Sequence, residues 1–203
     1  WEKVQLPHDW SIYLPFEVSA GGSSGYLPGG IGLYRKTIDI PQSYKGKRVS
    51  VVFDGIYHKA TVYVNGKKVG YHRYGYTSFE YDITDYLEFG KTNVLFVHVD
   101  HAEESRWYTG SGIYRHVWLQ VTDPIHVATW GTYITTPDIS EESADVNIVT
   151  SIVNSTNVEK QLKVIQTLIG KDGKALKVNG KKVSVEGNVI VAANDTTDYS
   201  QKF

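Results

Sequence analysis

The 203-residue sequence has no cysteine and no methionine. Without cysteine there are no disulfides, no thiolate–zinc sites and no thiol nucleophile. The absence leaves the compartment open, because many exported proteins lack disulfides. A chain that lacks methionine and starts at Trp1 reads as a piece cut or processed from a longer one, with any signal peptide upstream. No apolar run approaches the roughly 18 residues that span a bilayer. Neither sign of charge is in excess: 21 Lys and Arg face 22 Asp and Glu, a net charge of −1. Nucleic acid and anionic membranes call for a basic surface, so neither is an expected partner.

Aromatic residues are plentiful, at 13% of the chain with 15 Tyr and 5 Trp. Rings with a polar tip suit β-sheets and polar-ligand sites. The rest of the pattern agrees. Apolar–polar alternation or short β-branched runs occur at 34–40, 49–53, 60–64, 94–99 and 117–121, then at 125–130, 145–153, 162–169, 182–185 and 188–192. Segments of that length and spacing predict an all-β chain. One helical turn is expected at 82–87, capped by Asp82 or Thr84 and closed near Gly90. Asn65-Gly66 predicts a type I′ hairpin. Val-Asn-Gly-Lys-Lys-Val occurs at 64–69 and again at 178–183, which reads as one hairpin chemistry used twice. Lys171-Asp172-Gly173-Lys174 is a further turn. Thr122-Asp123-Pro124 interrupts the pattern and divides the chain into 1–122 and 124–203. The second part has about 80 residues and five or six strands, short of the roughly 100 residues and seven strands of an immunoglobulin sandwich, and is expected to be incomplete.

Among chemistry-bearing residues, the seven histidines are scattered, and no H-E-x-x-H, G-x-S-x-G or Gly-rich phosphate loop is present. No cofactor is implied. His98, Asp100 and His101 are close enough in sequence to suggest a metal cluster, but two of them on the polar face of one strand is the plainer reading, and no metal is expected. The adjacent acids Glu103-Glu104 and Glu141-Glu142 point to opposite faces of an extended chain, so neither pair can flank one glycosidic bond. No catalytic residue is assigned.

The most informative stretch is Glu103-Glu104-Ser105-Arg106-Trp107-Tyr108-Thr109-Gly110-Ser111-Gly112-Ile113-Tyr114-Arg115, a loop between two strands. Rings cover the C–H face of a pyranose and a guanidinium donates to its hydroxyls. Gly110 and Gly112 allow sharp turns. The alternative is structural: Trp107 and Tyr114 would plug the core and Arg115 would pair with an acid. Pro7-His8-Asp9-Trp10-Ser11 and Gly25-Tyr26-Leu27-Pro28-Gly29-Gly30-Ile31-Gly32 are two more irregular stretches, which could meet this loop only through the tertiary fold.

Four fragments carry a resemblance. Leu6-Pro7-His8-Asp9-Trp10, then Gly29-Gly30-Ile31-Gly32-Leu33-Tyr34-Arg35-Lys36, then Phe53-Asp54-Gly55 with Val62-Tyr63-Val64-Asn65-Gly66, then Ser105 to Arg115, come in an order that resembles the N-terminal part of glycoside hydrolase family 2, the β-galactosidase and β-glucuronidase family. The match is good over 1–122 and looser over 124–203. It implies a galactose-binding-like jelly-roll β-sandwich at 1–122 that binds sugar, then an immunoglobulin-like β-sandwich at 124–203, with a (β/α)₈ barrel beyond carrying both catalytic glutamates. The family's Asn-Glu dipeptide does not occur here. The parent so implied is a retaining exo-β-glycosidase, most similar to β-galactosidases, in which this portion shapes one side of the pocket and is inactive alone. In the family the loop before Gly-Ile-Tyr-Arg touches the terminal sugar. Arg106 stands at that position, and Arg106, Trp107 and Asp9 are the substrate-binding candidates, whereas Tyr114 and Arg115 hold the loop; the alternative for Asp9 is to cap a turn and anchor the N-terminal strand. Some relatives carry an acid at the Arg106 position. The implied partners are a carbohydrate with a terminal β-linked sugar, the protein's own barrel and, in the full-length protein, further copies of itself. Resemblance to bacterial polysaccharide-degrading relatives implies the periplasm or export. An autonomous carbohydrate-binding module, a β-glucuronidase or β-mannosidase parent, and a tandem-sandwich structural protein are the rival readings.

Overall fold

A computed structural model describes residues 1–102 and 106–203. The Glu103-Glu104 pair and Ser105 lie outside the described residues. The chain forms two compact units, Trp1–Val121 and Thr122–Phe203. Among the described residues no helix is long and apolar enough to cross a membrane.

The first unit is a jelly-roll sandwich of two antiparallel sheets. One sheet has the order β1 (Gly30–Ile40), β6 (Lys91–His101), β3 (Ala60–Val64) and β4 (Lys67–His72). The other has the order β5 (Phe79–Asp82), β2 (Arg48–Phe53) and β7 (Val117–Thr122). Alternation decides which side of each strand faces inward. In β6, Leu95, Val97 and Val99 are buried while Phe96 and His98 lie on the other face. They meet Val49, Val51 and Phe53 of β2 and Val62 and Val64 of β3 in one core. Burying each such side chain contributes about 1.5–3 kcal/mol. Phe53 and Phe79 stack with centroids 4.9 Å apart.

The turns follow their residues. Asn65 (φ 50°) and Gly66 (φ 78°) close β3 onto β4 with Val64 opposite Lys67. Asn179 (φ 51°) and Gly180 (φ 75°) do the same for β11 (Lys177–Val178) and β12 (Lys181–Lys182). The expected helical turn is a 3₁₀ turn at Thr84–Tyr86, where Asp82 Oδ1 accepts the Thr84 amide at 2.9 Å.

The second unit is the immunoglobulin-like sandwich, with β14 (Asp195–Lys202), β9 (Asn147–Asn154) and β8 (Ile125–Thr135) in one sheet, and β10 (Lys160–Thr167) and β13 (Ser184–Val191) in another. Ile152, Val189 and Val191 form its core, flanked by Leu162, Val164 and Tyr199. Asn154 is fully buried and acts as a polar rivet. Its Nδ2 donates to the carbonyls of Val158, Val191 and Ala192 at 2.9, 3.2 and 3.0 Å, and its Oδ1 accepts from the Thr156 amide at 3.0 Å. The runs expected at 182–185 and 188–192 fall largely on one strand, β13, which passes without a break through Gly187, where an added Cβ would lie 2.0 Å from the Tyr199 hydroxyl. β5 and β14 were not expected at all.

Candidate sugar-binding site

Gly30 of β1 pairs with His101 of β6, so both strands end together. The irregular stretches before β1 and after β6 emerge at that end. Ser11 Oγ donates to the Pro28 carbonyl at 2.7 Å, Trp10 Nε1 donates to the Gly29 carbonyl at 3.2 Å, and Ser11 Oγ lies 2.5 Å from Ser111 Oγ. The three stretches singled out in the sequence therefore converge. Residues 8–10 run beside 111–113, with the His8 amide on the Ile113 carbonyl at 2.8 Å and the Trp10 amide on the Ser111 carbonyl at 3.1 Å. Gly112 exchanges two 2.9 Å hydrogen bonds with Tyr57. Its φ of 118° and the Tyr34 hydroxyl 2.2 Å from where a Cβ would stand leave room only for glycine.

Asp9 ties the loop down. Its Oδ1 accepts the amides of Ser11 at 3.0 Å and Ser111 at 2.9 Å, and its Oδ2 accepts the Tyr108 hydroxyl. Burial and then this bond to Asp9 push the Tyr108 phenol well above the usual tyrosine range. Tyr34 is pushed up to about 12, mainly by burial. Behind the loop, His101 Nδ1 lies 2.6 Å from Ser111 Oγ and its Nε2 lies 3.3 Å from Thr109 Oγ1. Burial, and then the neighbouring His58, hold His101 below the ordinary imidazole value, against a smaller opposing pull from Asp9 and Asp100.

The loop leaves Arg106 and Trp107 outside. Trp107 is 58% exposed; Arg106 is exposed too and makes no hydrogen bond or ion pair to another described residue. Trp107, Tyr108 and Thr109 face Glu17, Ser24 and His101 across a depression of roughly 190 Å³. The residue that plugs the core is Ile113, at 3% exposure, and not Trp107. Tyr114 is partly buried and donates to the Gly75 carbonyl at 2.7 Å. Arg115 is exposed and has no acidic partner among the described residues.

His98 and Asp100 share one face of β6 while His101 turns to the other. The Asp100 carboxylate accepts the Ala102 amide at 3.0 Å. Among the described residues no three His, Asp or Glu side chains gather as metal ligands would. Glu141 and Glu142 are exposed.

Sequence reasoning missed a wall of rings beside the loop. Trp107 Nε1 lies 3.3 Å from the Tyr76 hydroxyl, Tyr76 sits 5.3 Å from Tyr57, and Tyr74 sits 5.7 Å from Tyr76 between centroids. The signal was present in Tyr71-His72-Arg73-Tyr74-Gly75-Tyr76, a polar, ring-rich stretch that runs off the end of β4.

Comparison with known proteins agrees with this architecture. Residues 11–124 match the model for the sugar binding domain of glycosyl hydrolases family 2, and the chain belongs to that family. A β-galactosidase of Bacteroides ovatus, BoGH2A, is 45% identical over 178 residues, covering 86% of this chain and 21% of the relative. A β-glucuronidase of Formosa agariphila is 31% identical over 211 residues, covering 91% of this chain and 21% of its own. The crystal structure of a family 2 member from Bacteroides cellulosilyticus superposes with a TM-score of 0.90 at 38% identity, covering 100% of this chain and 26% of that one. The chain thus spans between about a fifth and a quarter of these proteins' length.

Proposed function

We propose that this chain is the non-catalytic sugar-binding portion of a retaining exo-β-glycosidase, most closely a β-galactosidase, and that it closes one side of the sugar pocket. The domains are 1–122, a jelly-roll that binds sugar, and 124–203, an immunoglobulin-like sandwich. The observation that carries this reading is the exposed Arg106–Trp107 pair at the head of a loop whose base is pinned by Asp9. Trp107 offers a face to the C–H side of a pyranose and Arg106 offers donors to its hydroxyls. Asp9 accepts three hydrogen bonds from the loop and its neighbour, so it acts as a positioning residue behind them.

Retaining hydrolysis needs two carboxyl groups about 5–5.5 Å apart across the bond, one as nucleophile and one as acid and then base. The parent's barrel supplies them. This chain contributes orientation, and a misplacement of about 1 Å can cost on the order of 100-fold in rate. The relatives' names leave galactose and glucuronic acid as the competing terminal sugars.

The test is twofold. The purified chain, incubated with a chromogenic β-galactoside, is expected to release no product; turnover by the chain would overturn the reading. Calorimetric titration with galactose, lactose, glucuronic acid and mannose is expected to give millimolar affinity or weaker, the behaviour of half a site. Micromolar binding of a neutral sugar would establish the second reading, an autonomous carbohydrate-binding module, which the exposed rings of Tyr74, Tyr76 and Trp107 favour.

A further inference from the structure

A second hollow, of roughly 250 Å³, lies between the stretch 57–59 and the stretch 73–76. Its walls are Tyr57, Tyr74 and Tyr76, and its cations are Lys59 and Arg73. Among the described residues no Asp or Glu lines it, whereas Glu17 lines the depression beside Tyr108. Trp107 lines that first depression and bonds Tyr76 of the second, so the two adjoin. Asp100, whose amide meets the His58 carbonyl at 3.2 Å, commits a carboxylate oxygen to the Ala102 amide.

The hollow is held in shape before anything binds. A Cβ on Gly75 would lie 2.2 Å from the Tyr57 ring, so the ring rests directly on the backbone there. Tyr114 donates to the Gly75 carbonyl at 2.7 Å and fixes the same stretch from behind. The Lys59 amide donates to the Arg73 carbonyl at 3.3 Å and joins the two sides. Lys59 adopts φ 47°, a left-handed conformation that a lysine holds only when its surroundings impose it, and such residues cluster at ligand sites. Arg73 is exposed and has no ion pair among the described residues. A guanidinium with no carboxylate partner among the described residues, set beside three tyrosine rings, is a receptor for a planar or tetrahedral oxyanion.

We infer that this hollow binds the anionic substituent of a sugar, a carboxylate or a sulfate ester, with the sugar ring against Tyr76 and the glycan continuing over Trp107. The inference rests on the sugar-binding reading above and adds to it a preference for acidic glycans. Its volume lies below the roughly 300 Å³ at which pockets for drug-sized ligands begin, which fits one substituted ring and not an oligosaccharide. The negative charge of Glu17 directs an acidic ring to this side of Trp107 and away from the other.

The experiment is a titration of the ¹⁵N-labelled chain with galactose, galacturonate, galactose 6-sulfate and inorganic sulfate, followed at the amides of Tyr57, Gly75 and Tyr76. At least one acidic sugar is expected to bind about tenfold more tightly than galactose, the scale of one charge-assisted hydrogen bond. Galacturonate against galactose 6-sulfate decides between carboxylate and sulfate. Arg73→Gln is expected to abolish the preference for the acidic sugar over galactose, with the amide spectrum away from the hollow unchanged. Equal affinity for acidic and neutral sugars would overturn the inference, as would an unchanged preference in Arg73→Gln, equal binding of inorganic sulfate, or no shift at these amides with any ligand. None of these outcomes touches the reading of the chain as half of a glycosidase pocket, which fails only on turnover or micromolar neutral-sugar binding.

Discussion

The Asp9 carboxylate and the Ser111 amide, 102 positions apart in sequence, are joined by a 2.9 Å hydrogen bond. With the Ser11 amide and the Tyr108 hydroxyl on the same carboxylate, this bond decides where Trp107 stands. Asp9→Ala is expected to lower stability by about 2–3 kcal/mol, since each hydrogen bond to a charged group contributes about 1.5–3 kcal/mol and the amides left behind are partly shielded. Urea unfolding measures the loss. A change below about 0.5 kcal/mol would mean that the loop is held by its backbone pairing alone.

Gly32 gives a sharper steric test. An added Cβ would stand 2.2 Å from the Trp10 ring. Gly32→Ala is expected to displace that ring from its place beside Tyr34, 6.4 Å between centroids, and to cost about 1–3 kcal/mol. A shift in tryptophan fluorescence accompanying the lower midpoint is the expected signature; wild-type fluorescence and stability would refute the packing.

The pH dependence follows from His101 and, less buried, His72. Both titrate below 6.5 in the fold, chiefly because burial disfavours the imidazolium. The unfolded chain therefore takes up protons first as pH falls. Stability is fully present above about pH 6.5 and declines as the pH falls from there toward the folded-state values. Denaturant midpoints at pH 7.5 and 5.5 measure it. His101→Gln should flatten the slope; an unaltered slope would assign the effect to other groups.

In the second unit, Asn154 carries the polar burden of its core. Asn154→Ala removes the acceptor of the Thr156 amide and a donor to the Val191 and Ala192 carbonyls, while the Val158 carbonyl keeps the Thr156 hydroxyl at 3.0 Å. The expected loss is about 3 kcal/mol. A calorimetric scan that showed less than about 1 kcal/mol would mean that water replaces the side chain.

Strands with one clean apolar face were legible in the sequence, because alternation in stretches such as 94–99 states both the element and its inward side. β5 and β14 were not, because only Phe79 in the first and Gln201 in the second are buried, so neither presents an apolar stripe. The Arg106–Trp107 loop was legible by composition. Its anchor on Asp9 and its neighbours Tyr74 and Tyr76 were not, since they reach it by folding from elsewhere. The anchoring role of Asp9 needed the Ser111 amide, which no local pattern announces.

The repeated Val-Asn-Gly-Lys-Lys-Val makes this protein its own control for context. In one copy Val64 is at 1% exposure in a four-stranded sheet, and in the other Val178 is at 58% in a lone two-stranded ribbon. The backbone nonetheless bends alike at Asn65-Gly66 and Asn179-Gly180. Six residues thus encode their own geometry whether or not a core surrounds them. The segment 178–183 is accordingly a portable module: moved to another exposed connection, it should bring its bend along without importing any dependence on what lies beneath it.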